Sequence, residues 1–212
     1  MVCDMFFKQI PIGSMSNFSY LFGCERTREA AVVDPAFDTG KILRQASIDG
    51  YHIKYILTTH THFDHIGGHK SMIDSTGAKV VVHRLEADQI TKNQIPADII
   101  VEDGDEIRIG DITVRVIHTP GHTPGAICIL IDREKLITGD TLFIGDCGRT
   151  DLPGGSSKAL YESIYKLMAL DPGIEVYPGH DYGDKPSSTI GEEKKTNPAM
   201  LCRTLEAFNA LP

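Results

Sequence analysis

Four side chains able to bind a metal ion crowd into six residues of the segment Thr59-His60-Thr61-His62-Phe63-Asp64-His65, and any fold for this chain has to accommodate them. The segment follows an apolar stretch at 55–58 that reads as a brief strand. If the backbone stays extended through His62, the period-2 geometry of a strand points His60 and His62 to one side. Asp64 and His65 then fall where a helical pattern begins, so a turn offers a second pair of donors nearby. Gly67-Gly68 lets another backbone pack closely behind. Imidazoles and a carboxylate at this density suit a transition-metal ion.

Three more candidates lie at the ends of separate apolar stretches. His122 sits in Thr119-Pro120-Gly121-His122-Thr123-Pro124-Gly125, a turn stiffened by two prolines. Asp140 follows the stretch 135–138, and His180 follows 175–177 within Tyr177-Pro178-Gly179-His180-Asp181-Tyr182. Seven N and O donors suit two ions better than one, with a shared carboxylate holding a bridging hydroxide between them. The expected assignment is His60, His62 and His122 to one ion and Asp64, His65 and His180 to the other, with Asp140 bridging. Asp64 and Asp140 are the candidate catalytic carboxylates, and no Ser or Cys nucleophile is needed. Asp181 is a candidate to steer His180 by a hydrogen bond. His69 reads as a supporting or surface group, and His118 as a residue that orients its loop. His52 and His83 have no partner motif.

Around these positions the pattern alternates between β and α. Strands are expected at 5–10, 18–23 and 30–34, then a helix from an Asp38 cap to about residue 47. A helix is expected over 64–75, a strand at 79–82 and a short helix at 85–90. Strands follow at 107–109, 112–118, 126–131 and 135–138. An amphipathic helix over 156–169 turns Leu160, Ile164, Leu167 and Met168 inward, and a last strand at 175–177 precedes a last helix over 197–208 that opens on Pro198. The opening strands are too closely spaced for the crossover helices of a doubly wound parallel sheet. Two sheets packed face to face with helices outside, an αββα four-layer sandwich of the α/β class, bury every apolar stripe. The expectation is one domain spanning 1–212, built from two similar halves of roughly 1–110 and 111–212.

Composition narrows the function. The 212 residues hold 21 Lys+Arg against 29 Asp+Glu, a formal charge of −8 with no basic run, which argues against nucleic acid or an anionic membrane as partner. No apolar run approaches the roughly 20 residues of a membrane span. Met1 to Ile10 lacks the basic start and apolar stretch of a secretory leader, so a cytoplasmic location is expected. Cys3, Cys24, Cys128, Cys147 and Cys202 are scattered and odd in number, which fits reduced thiols and excludes a thiolate zinc site.

The order T-H-x-H-x-D-H, P-G-H-T, G-D-T and P-G-H resembles the metallo-β-lactamase superfamily over essentially the whole chain. The resemblance implies the same αββα sandwich, with metal at one edge between the halves. Two branches fit. Glyoxalase II enzymes hydrolyse thioesters of glutathione with a dinuclear centre, and Asp64-His65-Ile66-Gly67-Gly68 and Pro178-Gly179-His180 resemble them. Persulfide dioxygenases use one Fe(II) and O₂ to oxidise glutathione persulfide to sulfite. Asp146-Cys147-Gly148-Arg149-Thr150-Asp151, Arg26-Thr27-Arg28-Glu29-Ala30 and the tail from Ser188 to Pro198 resemble those. His60, His122 and Asp140 would make the two-histidine, one-carboxylate face of such an iron centre. The expectation is a hydrolase of glyoxalase II type with two divalent ions (Zn, Fe or Mn), the alternative a dioxygenase with one Fe(II). The implied substrate is a small-molecule thiol conjugate, with Arg149 and Tyr182 as candidate contacts, and relatives suggest a homodimer.

Overall fold

The computed structural model describes residues 4–211, so the reading of Cys3 falls outside the described residues. Strands β1 (Met5–Ile12), β2 (Asn17–Cys24) and β3 (Glu29–Val33) form an antiparallel meander, as their short connections require. Beyond them the connections lengthen. β3 then pairs in parallel with β4 (His52–Leu57), β4 with β5 (Lys79–His83) and β5 with β6 (Ile99–Val101). This sheet runs in the order β1-β2-β3-β4-β5-β6. Its connections carry α1 (Thr39–Asp49), α2 (Phe63–Ile66), α3 (His69–Thr76), a 3-10 turn (Arg84–Glu86) and α4 (Ala87–Lys92).

The second sheet is built from β7 (Glu106–Ile109), β8 (Ile112–His118), β9 (Ile127–Ile131) and β10 (Lys135–Gly139). A small ribbon, β11 (Leu142–Phe143) with β12 (Asp146–Cys147), and helix α5 (Ser157–Met168) come next. β13 (Glu175–Pro178) and β14 (Ser188–Thr189) complete the sheet in the order β14-β13-β10-β9-β8-β7. Helices α6 (Ile190–Thr196), α7 (Pro198–Leu201) and α8 (Leu205–Asn209) close the chain.

Strand alternation sorts the apolar residues into three cores. Tyr20 and Phe22 of β2 face the second sheet and meet Ile127, Ile129 and Ile131 of β9, while Leu21 points the other way, to Ile42 of α1 and Met72 of α3. Cys128 and Leu130 of β9 turn outward onto Leu160, Ile164 and Leu167 of α5. The layers are therefore helix, sheet, sheet, helix, as expected from the sequence.

Two expected helices are broken in the structure. The stretch 64–75 divides into α2 and α3 at Gly67-Gly68, where the chain presses against the segment after β3. A Cβ at position 68 would lie 2.3 Å from the Pro35 carbonyl oxygen. The stretch 197–208 divides into α7 and α8 because Thr204 leaves helical geometry and caps α8, accepting from the amide of Ala207. β6, the β11–β12 ribbon, β14 and α6 were not foreseen; the four strands are two or three residues long, below the length at which alternation is readable. Among the described residues, no helix is long and apolar enough to cross a membrane.

Candidate metal centre

The C-terminal ends of β4, β10 and β13 and the turn after β8 converge at one edge of the sandwich. The turn 58–62 between β4 and α2 delivers His60 and His62, and the first turn of α2 delivers Asp64 and His65. His122 comes from the proline-bounded turn between β8 and β9, Asp140 from the end of β10 and His180 from the end of β13. All seven meet. Donor atoms of His60, His62 and His122 lie within 4.8 Å of one another, and so do those of Asp64, His65 and His180. Asp140 stands between the groups, 3.3 Å from His65 Nε2 and from His180 Nε2 and 3.5 Å from His122 Nε2.

Four of the five imidazoles have one nitrogen tied down behind them. His65 Nδ1 donates to Asp34 Oδ2 at 3.0 Å, His122 Nδ1 to the carbonyl of Arg149 at 2.8 Å and His180 Nδ1 to the carbonyl of Met15 at 2.9 Å. Thr59 gives its hydroxyl proton to Asp34 Oδ2 (2.5 Å) and accepts from His60 Nδ1 (3.1 Å). With their protons spent at Nδ1, these four rings turn bare Nε2 lone pairs into the cluster. His65 Nε2 and His180 Nε2 face each other at 3.2 Å, and His62 Nδ1 faces His122 Nε2 at 2.9 Å. His60 Nε2 and Asp140 Oδ1 are buried without any hydrogen-bond partner. Converging lone pairs repel unless a cation sits among them, so the donor set fits divalent metal ions.

Electrostatics agree. Burial, with His65, His122 and His62 close by, holds His60 well below the ordinary imidazole range against the pull of Asp140. Burial also disfavours a charged His65, but Asp140 and Asp34 outweigh it and raise its pKa well above the usual value. Without an ion, an added proton is what relieves the crowding. Burial pushes the Asp140 carboxyl up, yet His65, His180 and His60 hold it well below the carboxylate range, so it is ionised and ready as a donor.

Asp34 is the functional residue that the sequence reading missed. It lies at the end of β3 with φ of 43°, in the left-handed region, and accepts from the amide of Thr59 (2.8 Å), the Thr59 hydroxyl and His65. The available signal was an aspartate ending an apolar strand, the same pattern that marks Asp140. Asn17 was also unforeseen; its amide donates to Asp64 Oδ2 at 3.0 Å. Asp181 does not steer His180. The peptide of Met15 does so, because residues 16–18 run against 179–181, with Phe18 N donating to Gly179 O and Asp181 N to Ser16 O. His69 is buried behind the centre and bonded to the Thr58 hydroxyl at 2.9 Å, and His118 ties its own turn through the Pro124 carbonyl at 2.9 Å.

The two candidate substrate contacts differ. Tyr182 lies at the mouth, 58% exposed, its ring stacked on His180 with centroids 4.6 Å apart and with Phe143 edge-on at 5.3 Å. Arg149 is exposed and its guanidinium is engaged by Asp151 in two bonds of 2.6 Å each, so what it gives the centre is its main-chain carbonyl.

Residues 13–180 match the model of the metallo-beta-lactamase superfamily. The chain belongs to that superfamily. The human mitochondrial persulfide dioxygenase ETHE1 is 38% identical over 190 residues, covering 87% of this chain and 71% of its own. Hydroxyacylglutathione hydrolase of Pelagibacter ubique is 35% identical over 167 residues, 78% of this chain and 67% of the hydrolase. The crystal structure of ETHE1 from Myxococcus xanthus superposes with a TM-score of 0.88 at 32% identity, over 98% of this chain and 92% of that one. Proteins of both reaction classes are thus similar to this chain over most of its length.

Proposed function

We propose that this chain oxidises the outer sulfur of a small-thiol persulfide, as a persulfide dioxygenase holding one Fe(II) at His60, His122 and Asp140. The observation that carries the reading is the likeness to ETHE1 along most of the chain in sequence and backbone, and this chain's own His60, His122 and Asp140 supply a two-histidine, one-carboxylate set in keeping with it. Fe(II) bound there supplies the activation of O₂, and the net change is RSSH + O₂ + H₂O to RSH, sulfite and two protons. The protein's own groups do the rest. Asp34, through Thr59 and directly, and the Arg149 carbonyl hold the imidazoles in the tautomer that offers Nε2. Tyr182 and Phe143 form an aromatic wall at the mouth that limits water and receives the thiol's carbon chain. A substrate carboxylate competing with Asp151 would bring Arg149 into contact.

A second reading, hydrolysis of a thioester of glutathione or another small thiol by a two-ion centre, is supported by the second trio Asp64, His65 and His180. Oxygen uptake separates the two. Iron-loaded protein given glutathione persulfide should consume O₂ and release sulfite, and His180→Ala should retain that activity. No uptake with iron demonstrably bound, together with hydrolysis of S-lactoylglutathione that His180→Ala abolishes, would establish the second reading instead.

A further inference from the structure

Behind the metal donors lies a carboxylate that nothing in the reaction uses. Glu86 ends the 3-10 turn before α4 and is 4% exposed. One oxygen accepts from the Thr61 hydroxyl; the other accepts from the Thr123 hydroxyl at 2.6 Å and the amide of Gly125 at 3.0 Å. Thr61 stands between His60 and His62, and Thr123 immediately follows His122. On the front of the same two turns, His62 Nδ1 and His122 Nε2 face each other across 2.9 Å. A single carboxylate therefore ties from behind the two turns whose imidazoles converge in front. Gly125 makes room for it, since a Cβ there would lie 2.7 Å from Glu86 Cγ. Burying a carboxylate is unfavourable unless its lone pairs are met, and here three donors from the two turns meet them.

We infer that Glu86 is a positioning residue that sets the separation of His62 and His122, and so the metal affinity of the face formed by His60, His62 and His122. The inference holds whichever reaction the centre performs. It singles out one face. Asp64, His65 and His180 are oriented by Asn17, Asp34 and the Met15 carbonyl, and Glu86 bonds to none of these groups.

The test is a Zn(II) competition titration against a chromophoric chelator, run on the full chain in wild-type and His180→Ala backgrounds. The His180→Ala background leaves the three-histidine face to be read alone. Glu86→Ala should weaken Zn(II) there by about 10–100-fold, the range for lost support of metal ligands. In the wild-type background it should weaken the step that fills this face and spare any step that fills the Asp64–His65–His180 face. Glu86→Gln, which keeps an acceptor for Gly125 and Thr123 and a hydrogen-bonding group for Thr61, should restore most of the affinity. Unchanged affinity in folded Glu86→Ala overturns the inference. Equal loss in Glu86→Gln also overturns it, because negative charge rather than position would then be responsible. Should Glu86→Ala fail to fold, Thr61→Val and Thr123→Val each remove one tie, and each must weaken the same step for the inference to stand.

Discussion

The two halves of the molecule hold their metal donors by different means. In the N-terminal half side chains orient the donors: Asp34 for His65, Thr59 for His60, Asn17 for Asp64. In the C-terminal half main-chain carbonyls do it, Arg149 for His122 and Met15 for His180. A side-chain support can be lost in one substitution. A carbonyl support persists through any substitution that keeps the backbone in place, so the ring orientations of His122 and His180 depend on where the backbone of their supports lies, and Glu86 is a side chain that ties the His122 turn.

Asp34→Ala should give the largest effect of any supporting residue. It strips the acceptor from Thr59 N, from the Thr59 hydroxyl and from His65 together, and leaves a buried amide unpaired. Metal affinity should fall at least 10–100-fold, with destabilisation of about 1–3 kcal/mol from the unmet amide alone. Chelator competition and urea unfolding of the metal-free protein measure the two separately. Retained affinity would erase the contrast between the halves.

The pH limits should divide along the same line. Burial lowers the pKa of His69, in α3, to about 3, so the fold holds it neutral while the unfolded chain binds a proton below pH 6.5. Its contribution is complete above that pH and is lost as pH falls to 3 and below, by roughly 5 kcal/mol. Cys128, in β9, is pushed up by burial to about 11 from 9, so its contribution is complete below pH 9 and is lost as pH rises to 11, by roughly 3 kcal/mol. In denaturant titrations across pH, His69→Gln should flatten the acid limb and leave the alkaline limb, and Cys128→Ala should do the reverse.

Asn17→Ala removes two bonds to Asp64, one to its carboxylate and one to its carbonyl, and should weaken the Asp64–His65–His180 face only, by less than Asp34→Ala weakens either face. Arg149→Ala should have the smallest effect. The carbonyl that holds His122 survives the substitution, and an exposed ion pair with Asp151 adds little stability, so metal affinity and unfolding temperature should stay at wild-type values. A loss of metal in this variant would show that the loop, and not its carbonyl alone, depends on the guanidinium.

This division also explains what was legible in advance. Donors must be particular residue types, so all seven stood out in the chain, and the succession of strands and helices in each half announced the layers. Supports made by carbonyls have no residue signature, so the chain offers Asp181 as a candidate beside His180 and gives no sign of the Met15 peptide that fills that place. Asp34 was visible as a residue but silent as a role, since a strand-ending aspartate reveals its partners only once β3 lies beside β4. Glu86 lay in a stretch read only as a short helix, because its three partners are 25 to 39 residues away. The breaks at Gly67-Gly68 and Thr204 came from packing and capping that periodicity does not register.

The bond from His180 to the Met15 carbonyl joins residues 165 positions apart. During synthesis the turn carrying His60, His62, Asp64 and His65 leaves the ribosome long before His180 exists. An ion captured early would be held by an open cup of four donors, exchangeable with whatever metal the surroundings offer. The last donor of the Asp64–His65–His180 face is in place only when the end of β13 lies beside residues 16–18, so that face is complete only once two distant parts of the chain have met.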